Sequence, residues 1–221
     1  VELLHRALVS HRQQGTVRGL WHLAALSASS LSADADLSAW RRQTAVHDKA
    51  LFLLLRELGE ELRSGGRVLS ASALGGCFGR TPMMTGFHAQ GGAVGLLKAL
   101  HEEWPNVYCK AVDVVSDRPT AEIVDELLTE FRLLGGRIEV GYPAGQRTVF
   151  ATVPSPLTLG KTLPRTPQAD WVVLATGGAR GITAEVLRGL AGYGLRLVLV
   201  GRSPAPGPES AETAVWPDAA A

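Results

Sequence analysis

The stretch Thr176-Gly177-Gly178-Ala179-Arg180-Gly181-Ile182 holds the residue types with the most chemistry in this 221-residue chain. Glycine permits a tight turn that brings backbone N–H groups close to a ligand. Free N–H groups at a helix start attract phosphate. The apolar run Val172 to Ala175 reads as a buried parallel strand leading into the turn. Beyond it, Ile182, Val186, Leu187, Leu190 and Ala191 share one helical face, and Arg196 to Val200 reads as a second buried strand ending in Gly201-Arg202-Ser203. Strand, glycine turn, helix, strand is the opening βαβ unit of a dinucleotide-binding fold, where the turn faces a pyrophosphate. The spacing is Gly177-x-x-x-Gly181, with Thr183 where a third glycine often stands, so the turn by itself also suits a plain βα connection in any α/β protein. Two features favour phosphate: the turn sits between two strand-like runs, and the second run ends in an arginine. Arg202 suits a 2′-phosphate, and no Asp or Glu stands there to take ribose hydroxyls, which points to NADPH over NADH.

The elements that position this turn follow from periodicity and breakers. Val1 to Gln14 predicts a helix closed by Gly15, and Val17 to Leu23 a strand containing His22, read as a partly buried strand histidine rather than a catalytic one. Residues 24–37 predict a loop in which Asp34 or Asp36 caps the next helix. A long helix is expected from about Leu37 to Leu62, with Trp40, Ala45, Leu51, Leu54, Leu55 and Leu58 inward and Ser64-Gly65-Gly66 as its stop. Arg67 to Ser72 predicts a strand entering the glycine-rich loop Ala73 to Arg80. A helix over His88 to Glu103 uses Val94, Leu96, Leu97 and Leu100, and a strand follows at Val107 to Asp113. The next helix buries Ile123, Val124, Leu127, Leu128 and Phe131 and stops at Gly135-Gly136. Strands at 138–142 and 148–153 flank a Pro143 turn. Residues 154–170 contain four prolines and no helical period, as in an extended linker. The Pro-rich loop after Ser203 and the Ala-rich end complete the chain. Alternating helices and strands predict an α/β, doubly wound Rossmann-like lobe over residues 1–153. After the 154–170 linker, residues 171–221 predict the first βαβ unit of a second lobe.

Composition excludes several functions. A net charge of +1 without any Lys/Arg cluster argues against nucleic acid. No apolar run approaches the roughly 18–20 residues of a membrane span. Cys77 and Cys109 lack CxxC or histidine spacing and are expected as buried, reduced thiols of a cytoplasmic protein, with no metal site. The start carries no signal pattern and no Met, as expected of a piece of something longer.

Taken together, Thr176-Gly-Gly-Ala-Arg-Gly-Ile182 and Leu197-Val-Leu-Val-Gly-Arg-Ser203 resemble the start of the catalytic subdomain of a type I polyketide synthase ketoreductase, a short-chain dehydrogenase/reductase. Gly19 to Leu26, Arg67 to Ser72, Gly91 to Leu100, Trp104-Pro and Lys110 to Asp113 are similar to the structural subdomain that such ketoreductases carry upstream. The wording is most similar to polyunsaturated fatty acid and iterative or enediyne-type synthases. The resemblance implies that Thr176, Gly177, Gly178, Gly181 and Ile182 line the pyrophosphate with Arg180 nearby, and that Arg202 and Ser203 hold the 2′-phosphate of NADPH. It implies hydride transfer to the β-keto group of an acyl chain on an acyl carrier protein. The implied partners are other synthase domains and the remainder of the catalytic subdomain.

That reaction needs a proton donor for the developing alkoxide, in this family a tyrosine helped by serine and lysine. Tyr108, Tyr142 and Tyr193 all stand in the wrong context. In the first lobe Lys49, Ser72 and a helix from His88 mirror the back half of a reductase, yet no tyrosine lies near Phe87 to Gln90. Lys49 is then a solvated helix residue and Ser72 a hydroxyl satisfied by its own loop. His88 and Gln90 are left with polar contacts only. No catalytic residue is therefore assigned within the chain; the catalytic set is expected beyond Ala221, and this piece alone is expected to be inactive. Two competing readings are a non-enzymatic reductase-like scaffold or docking module, and a dehydrogenase fragment of small-molecule metabolism, which leaves the upstream lobe unexplained.

Overall fold

The structure, a computed structural model, describes residues 6, 8–9, 15–27, 35–80, 90–156, 166–177, 180–202 and 207. The chain divides into two compact units, Val1–Val153 and Pro154–Ala221.

In the first unit, strands buried on both faces set the architecture. β1 (Gly19–His22), β2 (Arg67–Ser72), β3 (Tyr108–Val114), β4 (Glu139–Tyr142) and β5 (Thr148–Val149) form one sheet in that order. The first four are parallel and β5 is antiparallel to β4. Successive side chains point to opposite faces. Leu20, Val68, Cys109 and Ala111 therefore meet one set of helices, while Leu69, Ala71, Val112, Val114 and Val140 face the other way. The first face is covered by α2 (Ala50–Leu62) and α3 (Gly92–Glu103), the second by α4 (Thr120–Arg132). This is the α/β parallel-sheet fold that the element order predicts. Leu51, Leu55, Leu58 and Leu62 repeat at helical spacing on the buried side of α2, each contributing on the order of 1.5–3 kcal/mol by leaving water. Gly19 is required locally, because a Cβ there would press on the Phe131 ring at 2.9 Å.

Several expectations change, and the strand expected at 148–153 extends only over Thr148–Val149. The long helix is two α-helices, α1 (Leu37–Thr44) and α2, joined by a π turn at Ala45–Lys49. The wider turn shifts the helical phase, so His47 takes the buried position while Trp40 and Ala45 turn outward. Asp36 caps α1, accepting from the Ala39 N–H at 2.6 Å. On α4, Val124 is exposed and Glu130 is fully buried: the inward position goes to a carboxylate because cations meet it there. Helix α3 starts at Gly92 instead of His88, and residues 81–89 lie outside the described residues, as do nearly all of the helix expected at 1–14 and the Ala-rich end. Both cysteines are free; Cys109 is buried, its thiol pushed up to about 12 by burial, but Cys77 is only half-buried.

The second unit pairs β6 (Val172–Thr176) in parallel with β7 (Arg196–Val200), joined by α5 (Gly181–Ala191). Both strands were expected to be buried, yet Val172, Leu174, Leu199 and Val200 are at least half exposed. Two strands present more apolar surface than one helix covers. For the same reason α5 buries Leu187, while Ile182 and Val186 face outward. The described parts of residues 154–170 hold no helix or strand.

Candidate functional site

At the carboxyl ends of β6 and β7, the chain must turn sharply into α5. Gly177 takes φ +75° and Gly181 φ +58°, the left-handed region that side chains resist. The Gly177 N–H donates to the Val200 carbonyl at 2.7 Å, which anchors the turn on β7. A Cβ at Gly177 or Gly181 would meet nothing within 4 Å, so the glycines serve conformation and leave open space in front of the turn. Arg180 precedes the helix in an extended conformation and its side chain does not cap α5, whose first turn carries no acid. A helix start offers backbone N–H donors and a partial positive charge, the arrangement that takes an anion. Thr176, Arg180, Ile182 and Arg202 are all exposed at this end of the unit. Arg202 follows β7 by two residues and shares the edge with the turn. Gly178 and Ser203, the other two residues expected here, lie outside the described residues. The donor set suits a phosphate group, and the cation beyond β7 suits a second one.

Of the three tyrosines, Tyr142 closes β4 at the carboxyl edge of the first sheet, but its hydroxyl is already engaged. Tyr193 follows the far end of α5, and Tyr108 opens β3. Tyr142 is buried and donates its hydroxyl to Glu130 at 2.8 Å; burial and that carboxylate hold it above the ordinary tyrosine range.

The carboxyl edge of the first sheet carries polar groups that mostly pair with one another; the buried Gln90 amide nitrogen has no partner among the described residues. His22 is buried: its Nε2–H donates to the Val46 carbonyl at 3.2 Å, which leaves Nδ1 to accept from the Ser70 hydroxyl at 3.3 Å. Burial holds this imidazole below its ordinary value, so it is a neutral core histidine. Lys49 is exposed, as its sequence setting predicts. Gln90 accepts from the Ala73 N–H at 3.0 Å. Ser72 differs from expectation: its hydroxyl donates to Asp113 on the neighbouring strand at 2.6 Å, not to its own loop. Asp48, in the π turn, accepts from the Ala93 N–H at 3.1 Å and caps α3; burial raises its carboxyl. Asp48, Asp113 and Glu130 were not predicted as polar centres, since their partners lie 12 to 45 residues away and no local spacing announces them. Among the described residues no group of three His, Cys, Asp or Glu side chains is placed to hold a metal ion, and no helix is long and apolar enough to cross a membrane.

No protein-family profile and no curated protein matches the chain. Among solved structures, it superposes on a multidomain structure holding the adenylation, ketoreductase and pseudo Asub domains of a keto acid-selecting NRPS module. The TM-score is 0.65 at 20% identity, covering 92% of this chain and 17% of that one. A short-chain dehydrogenase/reductase variant from Serratia marcescens gives a TM-score of 0.42 at 18% identity, over 48% of this chain and 45% of that one. A short-chain dehydrogenase/reductase from Brucella melitensis gives 0.41 at 15% identity, over 53% and 51%. The first likeness defines the fold, a Rossmann-like α/β fold. This chain spans about a sixth of the module's length.

Proposed function

We propose that the chain is part of the ketoreductase region of a multifunctional polyketide or fatty acid synthase in the cytoplasm. Its first unit serves as the structural lobe, and its second supplies the pyrophosphate turn for NADPH. The observation that carries this reading is the start of α5 behind two left-handed glycines, with Arg202 on the same edge. The turn from Thr176 through Gly177 and Gly178 to Gly181 and Ile182, with Arg180 beside it, would hold the pyrophosphate on backbone N–H groups. Arg202 and Ser203 would hold the 2′-phosphate. When bound, the cofactor supplies a hydride for the β-keto group of an acyl chain on an acyl carrier protein. These residues bind and orient. None of the three tyrosines stands where it can protonate an alkoxide, so binding without turnover is expected of the 221 residues.

A second reading, a reductase-like scaffold that binds no dinucleotide, is favoured by the edge of the first unit, where Ser70 pairs with His22 and Ser72 with Asp113. Titrating the chain with NADPH, and assaying reduction of a β-ketoacyl thioester, separates the two. The ketoreductase reading expects saturable binding and no product. Product formation would show that the chemistry is complete within the chain, and absence of binding would leave the scaffold.

A further inference from the structure

Open α/β sheets bind ligands at the carboxyl ends of their strands. In the first unit that edge is crossed by Leu74–Arg80, the glycine-rich loop after β2. Gly75, Gly76 and Gly79 take φ of +81°, +76° and +67°, and Phe78 joins them at +53°. Left-handed residues in close succession turn backbone N–H groups toward a common concavity, the geometry of an anion-binding nest. Here the concavity is filled. The Asp113 carboxylate, fully buried at the end of β3, accepts from Leu74 N–H at 2.7 Å and Phe78 N–H at 2.8 Å. It also accepts from the Ser72 hydroxyl at 2.6 Å. The strained backbone at Phe78 is thus held by a charge-assisted hydrogen bond and by edge packing of its ring on Phe150, centroids 5.6 Å apart. The loop also lies on β4 with no room to spare: a methyl group on Gly76 would overlap the backbone of Tyr142 and Pro143, and one on Gly141 would overlap the Gly76 carbonyl.

We propose that Leu74–Gly79 is an oxyanion site whose occupant is the Asp113 carboxylate. The first unit then keeps a phosphate-type cradle at its ligand edge and closes it with its own side chain. The proposal goes beyond the ketoreductase reading and does not rest on it. Three donors converge on one buried carboxylate, whereas a strand-end aspartate placed for solubility would face water. Removing the side chain leaves the donors buried around a void of defined size. Asp113→Ala vacates the volume of formate, and Asp113→Gly that of acetate. A small monocarboxylate is therefore the ligand class each variant should take up.

The test follows urea unfolding of the full chain in sodium formate, sodium acetate and sodium chloride at equal ionic strength. For Asp113→Ala the folding equilibrium constant should rise with formate as one plus the ratio of formate to its Kd, roughly 11-fold at ten times Kd. Asp113→Gly should prefer acetate. The wild-type protein, and Asp113→Asn, whose amide fills the space, should show no difference among the three salts. A response by Asp113→Ala equal to that of the wild-type protein would overturn the proposal. So would an Asp113→Ala chain that stays unfolded in all three salts while Asp113→Asn folds.

Discussion

Removing the Glu130 carboxylate should destabilise the first unit more than any single surface change. Glu130 is fully buried beneath α4 and accepts from Tyr142 Oη at 2.8 Å and from Arg147 Nε and Nη2 at 2.5 and 3.1 Å. Lys110 Nζ lies 3.7 Å away, 4% exposed, and donates to the Gly135 and Arg137 carbonyls at 2.7 and 2.8 Å. Glu130→Ala leaves the Lys110 ammonium buried without its counter-charge, a situation that costs about 3–5 kcal/mol. Against a total domain stability of roughly 5–15 kcal/mol, that is a large fraction. Lys110→Met in the same chain removes the stranded charge, at the expense of two carbonyl partners worth about 1–3 kcal/mol. The two changes should therefore couple, with Lys110→Met recovering about 2–3 kcal/mol of the Glu130→Ala loss. Urea titration followed by tryptophan fluorescence reads this directly, since Trp21 stacks on Phe131, the neighbour of Glu130, at 4.6 Å. A Glu130→Ala loss below about 1 kcal/mol, the level of an exposed ion pair, would refute the reasoning. So would additivity of the two substitutions.

Further expectations concern the loop, acid stability and the helix face. Gly76→Ala should destabilise by about 2 kcal/mol or more, because the new methyl meets the Tyr142–Pro143 backbone at φ +76°; Gly79→Ala, with open space at φ +67°, should cost less in the same melt. Two groups of the first unit lose their contribution as the pH drops, against the opposite trend of the raised Asp48 and Asp113 carboxyls. His22 is held by burial below its ordinary 6.5, so its contribution is complete above 6.5 and is lost as pH falls toward its lowered value. Burial alone would raise Glu130, but Arg147, Tyr142 and Lys110 outweigh it and hold the carboxyl below 4.5; its contribution is lost as pH falls through that lowered value. Urea midpoints between pH 7 and 3 should show both steps, and Glu130→Gln should abolish the lower one. Leu58→Ala, on the buried side of α2, should cost about 2–5 kcal/mol by leaving a cavity, measurable by the same titration.

Elements were legible in the sequence where one periodicity ran without interruption. Arg67–Ser72 and α4 from Thr120 emerged from apolar spacing and breakers alone. The π turn at Ala45–Lys49 was not legible, since its residues would continue an ordinary helix and the phase shift is set by His22 and α3 packing against it. Burial in β6 and β7 was overestimated because apolar composition reports what a strand offers, not how many neighbours accept it. The glycine turn at 177–181 was readable because backbone conformation is dictated locally. The Asp113 and Glu130 centres were not, because each draws its donors from strands and loops brought together only by the fold.

The proposal that Gly177–Gly181 and Arg202 form an NADPH cradle is tested most directly by calorimetric titration of the wild-type chain and Arg202→Glu with NADPH and with NADH. Arg202 is exposed, so its charge-assisted contact belongs at the low end of about 1.5–3 kcal/mol, roughly tenfold in Kd. The wild-type chain should bind NADPH about tenfold more tightly than NADH. Arg202→Glu should lose that preference while its NADH affinity does not fall and its thermal unfolding stays unchanged. Equal affinities in the wild-type chain, or a preference that survives Arg202→Glu, would contradict the assignment.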